Sequence, residues 1–166
     1  MGITRTGRIV VREELTQELI EGNVFTATAL KTISGSGTFD VTIETPAAPT
    51  ILAIQDATIT VAAKATVQFR EAVTATGGST ITAEDANRIL DTASNATIIQ
   101  DPTVTDTGDL LAQSLVPGGE KDKDFGAAIS GDRGWILAAS TKYLVRVTDT
   151  SAGSNDSSIA FSLVEV

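Results

Sequence analysis

Lys142-Tyr143-Leu144-Val145-Arg146-Val147-Thr148 and, a little further on, Ile159-Ala160-Phe161-Ser162-Leu163-Val164 decide the fold class. In the first run Tyr143, Val145 and Val147 alternate with Leu144, Arg146 and Thr148; in the second Ile159, Phe161 and Leu163 alternate with Ala160, Ser162 and Val164. A period of two residues belongs to a strand with one buried face. Between the runs, Asp149 to Ser157 holds only Asp, Thr, Ser, Ala, Gly and Asn, the composition of a solvated turn. The two strands are therefore expected to be antiparallel neighbours in a hairpin. A lone hairpin is not stable, so other strands must cover Phe161 and Tyr143.

The same period runs through most of the chain before them. Phe25, Ala27 and Ala29 alternate with polar neighbours until Ser34-Gly35-Ser36-Gly37, and Phe39, Val41 and Ile43 alternate up to the Pro46 to Pro49 stretch. Ile51 to Ile54 and Ala57 to Val61 read as two short strands separated by Gln55-Asp56, and Ala65, Val67 and Phe69 as another. Thr97 to Gln100 and Leu110 to Val116 complete the set, with Asp101-Pro102, Asp106 to Asp109 and Pro117-Gly118-Gly119 as breaks. Thr82 with Asp85 resembles a capping box, so Thr82 to Leu90 is either a short helix or an ordered loop. Eight or more short strands with no helix between them predict an all-β fold, an antiparallel β-sandwich or jelly roll.

The start of the chain differs. Arg5, Arg8 and Arg12 precede Glu13, Glu14, Glu18 and Glu21, while Val11, Leu15 and Leu19 stand at helical spacing with Ile20 beside them and Gly22-Asn23 as a stop. This pattern predicts residues 1–22 as an N-terminal arm with an amphipathic helix, and 23–166 as the β-sandwich domain. The helix stripe is narrow and suits packing on its own domain, on a sister subunit or on another protein. Arg5, Arg8, Arg12, Val11, Leu15 and Leu19 are the candidate contacts to a partner, the alternative being a mobile tail.

Composition limits the chemistry. A chain of 166 residues without cysteine or histidine has no disulfide, thiolate nucleophile, imidazole base or common zinc ligand. Its formal charge of −9 and pI near 4.4 argue against binding nucleic acid, which needs clustered Lys and Arg. No apolar run reaches membrane-spanning length, and Met1 to Arg8 lacks the apolar core of a secretory signal. No phosphate loop, nucleophile elbow or dinucleotide fingerprint occurs. Glu120, Asp122 and Asp124 lack the spacing of a calcium loop and read as a solvated run. Trp135 and Tyr143, the single Trp and single Tyr, read as core or interface anchors before a sugar platform. The sequons Asn95-Ala96-Thr97 and Asn155-Asp156-Ser157 matter only in a secreted eukaryotic chain. The expectation is a protein that is not an enzyme and needs no cofactor.

An ordered series of motifs carries a resemblance. Ser36-Gly37-Thr38-Phe39, Phe69-Arg70-Glu71-Ala72-Val73-Thr74, Gly77-Gly78-Ser79 with Asn87-Arg88, Asp101-Pro102-Thr103-Val104-Thr105, Asp106-Thr107-Gly108, Pro117-Gly118-Gly119, Trp135-Ile136-Leu137 and Thr141 to Thr148 follow one another between Val24 and Leu163. In this order they resemble the capsid decoration, or cement, proteins of tailed bacteriophages. That resemblance implies a structural virion protein on the outer surface of the capsid, a homotrimer bound to the major capsid protein and bridging neighbouring capsomers. It implies no catalytic residues. The alternative is a tail-fibre or head-fibre module binding a host-surface glycan, whose sandwich reads the same in sequence.

Overall fold

A computed structural model describes residues 17–117, 123–124 and 134–166 of the chain. In chain order its strands are β1 (Val24–Ser34), β2 (Thr38–Glu44), β3 (Leu52–Val61), β4 (Lys64–Glu71), β5 (Thr74–Thr76), β6 (Ser79–Ile81), β7 (Glu84–Asp85), β8 (Thr97–Gln100), β9 (Thr103–Asp106), β10 (Asp109–Pro117), β11 (Lys123–Asp124), β12 (Trp135–Leu137), β13 (Lys142–Asp149) and β14 (Ser154–Glu165). One sheet has the order β11-β3-β14-β1-β7, with β12 also on β3; the second has the order β10-β4-β13-β2-β8-β6; β5 and β9 form a small third sheet. All pairings are antiparallel, so the all-β sandwich read from the alternation is the fold observed.

The expected terminal hairpin does not form. β13 pairs with β2 and β4 in one sheet, whereas β14 pairs with β1 and β3 in the other. The chain between them arches from sheet to sheet. β1 and β2 are joined by another such arch, and β3 and β4 by a third, so three arches stack side by side and each lends one strand to each sheet. Alternation fails to separate the two geometries for a physical reason. In a hairpin the apolar faces lie side by side, in an arch they face each other across the core, and either way the same residues are buried.

Tyr143, Val145 and Val147 accordingly look across the interior at the sheet that carries Ile159, Phe161 and Leu163, and all six are buried. Phe39, Val41, Ile43, Val67 and Phe69 are at most 1 % exposed, as their alternation predicts, and each buried side chain of this size stabilises by about 1.5–3 kcal/mol. Phe69 stacks on Tyr143 at 5.6 Å and meets the edge of Trp135 at 5.4 Å between ring centroids. β3 is continuous where two strands were expected. It pairs with β14 on either side of a register shift at Ser162/Leu163, and Gln55 is the extra residue that the bulge absorbs.

The outer face of the second sheet is also covered. Leu144, expected to point outward, is fully buried there, because the segments holding β5 and β9 lie over it: the N–H of Val73 donates to the Lys142 carbonyl, Lys142 Nζ to the Ala75 carbonyl and Arg70 Nη1 to the Gly108 carbonyl. Gly108, at φ +59°, approaches so closely that a Cβ would lie 2.0 Å from the Glu71 carbonyl oxygen. On the same face, two residues on from Leu144, Arg146 donates to Asp40 through both Nε and Nη2 at 2.7 Å. That carboxylate raises the Arg146 pKa against the opposing effect of burial.

Residues 17–21 are helical and end as the sequence predicts. Gly22 takes φ +77°, and the Asn23 N–H reaches the Glu18 carbonyl at 2.9 Å, the reverse turn by which a helix closes its last carbonyls. The Thr82 to Leu90 stretch resolves as an ordered loop, with β7 followed by a turn at 88–90.

Candidate functional site

The two ends of the sandwich are built differently. At one end the three arch connections bond to one another through the backbone: Gly35 N–H to the Gly153 carbonyl (2.6 Å), Thr150 N–H to Lys64 (2.9 Å), Ala62 N–H to Asp156 (3.0 Å) and Asp149 N–H to Gly37 (3.1 Å). Asp149, fully buried beneath the third arch, accepts from the Ser151 N–H, the Ser151 hydroxyl and the Asn155 amide, each at 2.7 Å. Burial alone would push its pKa up; the hydrogen bonds outweigh that and hold it below the ordinary carboxylate value.

The other end carries the long connections, and the most elaborate of them is the loop over residues 86–96. Two buried carboxylates brace it. Asp85, at the end of β7, accepts from the Asn87 N–H (2.7 Å), the Thr92 N–H (2.9 Å) and the Thr92 hydroxyl, which also lies 2.8 Å from the Gly22 carbonyl. The Thr92 hydroxyl is the main cause holding the Asp85 pKa down; burial opposes it, and the two N–H groups and the Arg88 charge reinforce it. Glu165, at the end of β14, accepts from the Asn95 N–H and side-chain amide, the Ala96 N–H and the Ser94 hydroxyl. Clefts of about 340 and 350 Å³ flank the loop, the first against Glu165 and the second against Asp85. Both carboxylates have their lone pairs taken up by loop donors, so their chemistry here is anchoring.

What the braces hold out is apolar. Ile89 is 92 % exposed at the tip, and Leu90 leans back until its Cδ1 lies 3.1 Å from where a Cβ on Gly22 would be. The Asn87 side chain fixes the turn: its Oδ1 accepts from the Ile89 N–H, and its Nδ2 donates to the Ile20 carbonyl at 2.8 Å. Leu19 and Ile20, exposed by 40 and 60 %, are thereby tied to the segment that carries Ile89 and Leu90. Glu18 and Glu21 flank Leu19-Ile20 in the chain, and Arg88, next to Ile89, pairs with Glu84 at 3.0 Å and Asp91 at 3.6 Å. Among the described residues of these two segments, four carboxylates besides the buried Asp85 stand against one guanidinium.

Of the candidate contacts read from the sequence, Leu19 lies in this apolar group; Arg5, Arg8, Val11, Arg12 and Leu15 lie outside the described residues, as do Glu120 and Asp122 of the acidic run. The loop half of the group was legible only as two apolar residues, Ile89-Leu90, standing among Asn87, Arg88, Asp91 and Thr92. Trp135 and Tyr143 pack on Phe69, and the Tyr143 hydroxyl accepts from the Ala138 N–H at 2.8 Å, the place of core anchors. Burial is the chief cause raising the Tyr143 pKa. Both sequon asparagines, Asn95 and Asn155, use their amides to hold Glu165 and Asp149. Among the described residues no group of three acidic side chains has the geometry to hold a metal ion, and no helix is long and apolar enough to cross a membrane.

No protein-family model matches the chain, and no curated protein matches it. Among solved structures it is similar to the crystal structure of PirA, with TM-score 0.40 and 8 % identity over 81 % of this chain and 92 % of that one. The infectious bursal disease virus VP2 subviral particle aligns with a TM-score of only 0.12, at 14 % identity over 85 % of this chain and 42 % of that one. Neither likeness bears on what this chain does.

Proposed function

We propose that this chain is a structural virion protein that decorates the outer surface of a tailed-phage head, binds the major capsid protein as a homotrimer and stabilises the shell by bridging neighbouring capsomers. The observation that carries the reading is the braced apolar tip: a sandwich closed at one end by its own backbone holds Ile89, Leu90, Leu19 and Ile20 out at the other, on a loop ordered by two buried carboxylates. A preordered apolar contact loses little entropy on docking and suits a protein partner. The motif series from Ser36 to Thr148 supports the same reading by its resemblance to cement proteins. Bound in many copies, contacts of modest strength accumulate over a shell. The acidic body keeps the subunit from adhering to DNA. The glycan-binding alternative has no comparable support, because the two rings suited to a sugar platform pack on Phe69.

The test is reconstitution. Heads of the parent phage lacking this protein should rupture at a lower temperature than complete heads, and the purified chain should restore the difference while appearing in threes around local three-fold axes in a cryo-electron microscopy map. Heads that neither bind the chain nor change their stability would exclude the reading.

A further inference from the structure

We infer that the patch formed by Leu19, Ile20, Ile89 and Leu90 is the face that meets the shell, and that the surface it fits is an apolar groove edged with Lys and Arg side chains. The inference rests on the capsid reading above and adds the contact surface and the chemistry of its partner. Four large apolar side chains at 40, 60, 92 and 49 % exposure, carried on two segments tied to each other, offer apolar surface on the order of a few hundred Å², the scale of an interaction site. The two segments that build it are tied together by the Asn87 amide on the Ile20 carbonyl and by Leu90 against Gly22, so they present one surface. Asp85 and Glu165 hold the loop from beneath, leaving Ile89 free to enter a pocket without reordering the backbone.

The rim selects the partner. Among the described residues, Glu18, Glu21, Glu84 and Asp91 outnumber Arg88, which pairs with the last two, so these segments carry a net negative border. A second copy of the same patch would set like charges against each other. An anionic lipid or nucleic acid would be repelled in the same way. A basic-edged apolar groove satisfies both the centre and the border, the centre giving residence and the border steering approach.

The experiment titrates the full-length chain onto parent heads that lack it, at low and at high salt. Ile89→Asp places a charge at a residue so exposed that folding is unaffected; it should weaken binding by about thirtyfold or more, as at an interface hot spot. Glu21→Gln combined with Asp91→Asn keeps both shapes, Asn also accepting the φ of +52° at position 91, and should lower affinity at low salt and flatten its salt dependence. Wild type that binds while Ile89→Asp binds equally well overturns the assignment of the face and leaves the capsid reading intact. Wild type that does not bind overturns both. If sedimentation shows Ile89→Asp splitting an oligomer with head affinity unchanged, the patch joins copies of this chain and the assignment to the shell is wrong.

Discussion

At the arch end of the sandwich, three connections of a few residues each bond to one another mainly through N–H and carbonyl groups, whereas at the opposite end residues 86–96 make one long loop held by the side chains of Asp85 and Glu165. Backbone contacts of the first kind tolerate many sequences. Contacts of the second kind depend on particular side chains, and those side chains order a stretch that contributes almost nothing to the core. Order without burial suits the contact surface proposed for the loop end.

The largest effect should come from the interior that the two ends share. Phe69→Ala removes a side chain with no exposure that touches both Tyr143 and Trp135, and should cost about 3–5 kcal/mol in urea unfolding. A loss below about 1 kcal/mol would mean that the ring cluster does not hold the sheets together. Next in size, Asp149→Ala strands the Ser151 and Asn155 donors under an arch that belongs to both sheets, and should cost about 1–3 kcal/mol of global stability. Unchanged unfolding there would erase the claim that the arch end is part of the cooperative unit.

Acid should affect both ends but through different observables. Asp85 and Asp149 are held below the ordinary carboxylate value, so each contributes stability in full above that value and loses it as pH falls through about 4 towards the lowered folded values. Thermal melts between pH 7 and 2.5 should follow Asp149, and amide exchange in residues 86–96 should follow Asp85. A melting temperature that rises on acidification would contradict the sign. A smaller and purely local effect is expected of Asp85→Asn: faster exchange across 86–96, with the strand amides of β13 and β14 unchanged. Spread of the exchange into those strands would show that the loop end is not a separate unit. Smallest of all, Ile89→Asp should shift stability by no more than about 0.5 kcal/mol, because the side chain is almost wholly solvated.

Alternation in the sequence determined which residues are buried. Phe39, Val41, Ile43, Val67, Phe69, Ile159, Phe161 and Leu163 could be named as core from a period of two, because the pleat sends successive side chains to opposite faces whatever the strand pairs with. Gly22-Asn23 likewise marked the end of the helix, since a left-handed residue is a local requirement. Tertiary structure alone decided which sheet each strand joins, since arches and hairpins bury the same face. It also decided that Leu144 is covered, because the cover comes from the segments holding β5 and β9, and that Gln55 is a bulge, because only the pairing of β3 with β14 leaves it without a partner position. The candidate surface belongs to this second class. Glu165 braces Asn95 from the far end of the chain, and Asn87 ties the loop to Ile20, so the patch exists only where folding brings three separated segments to one end of the sandwich.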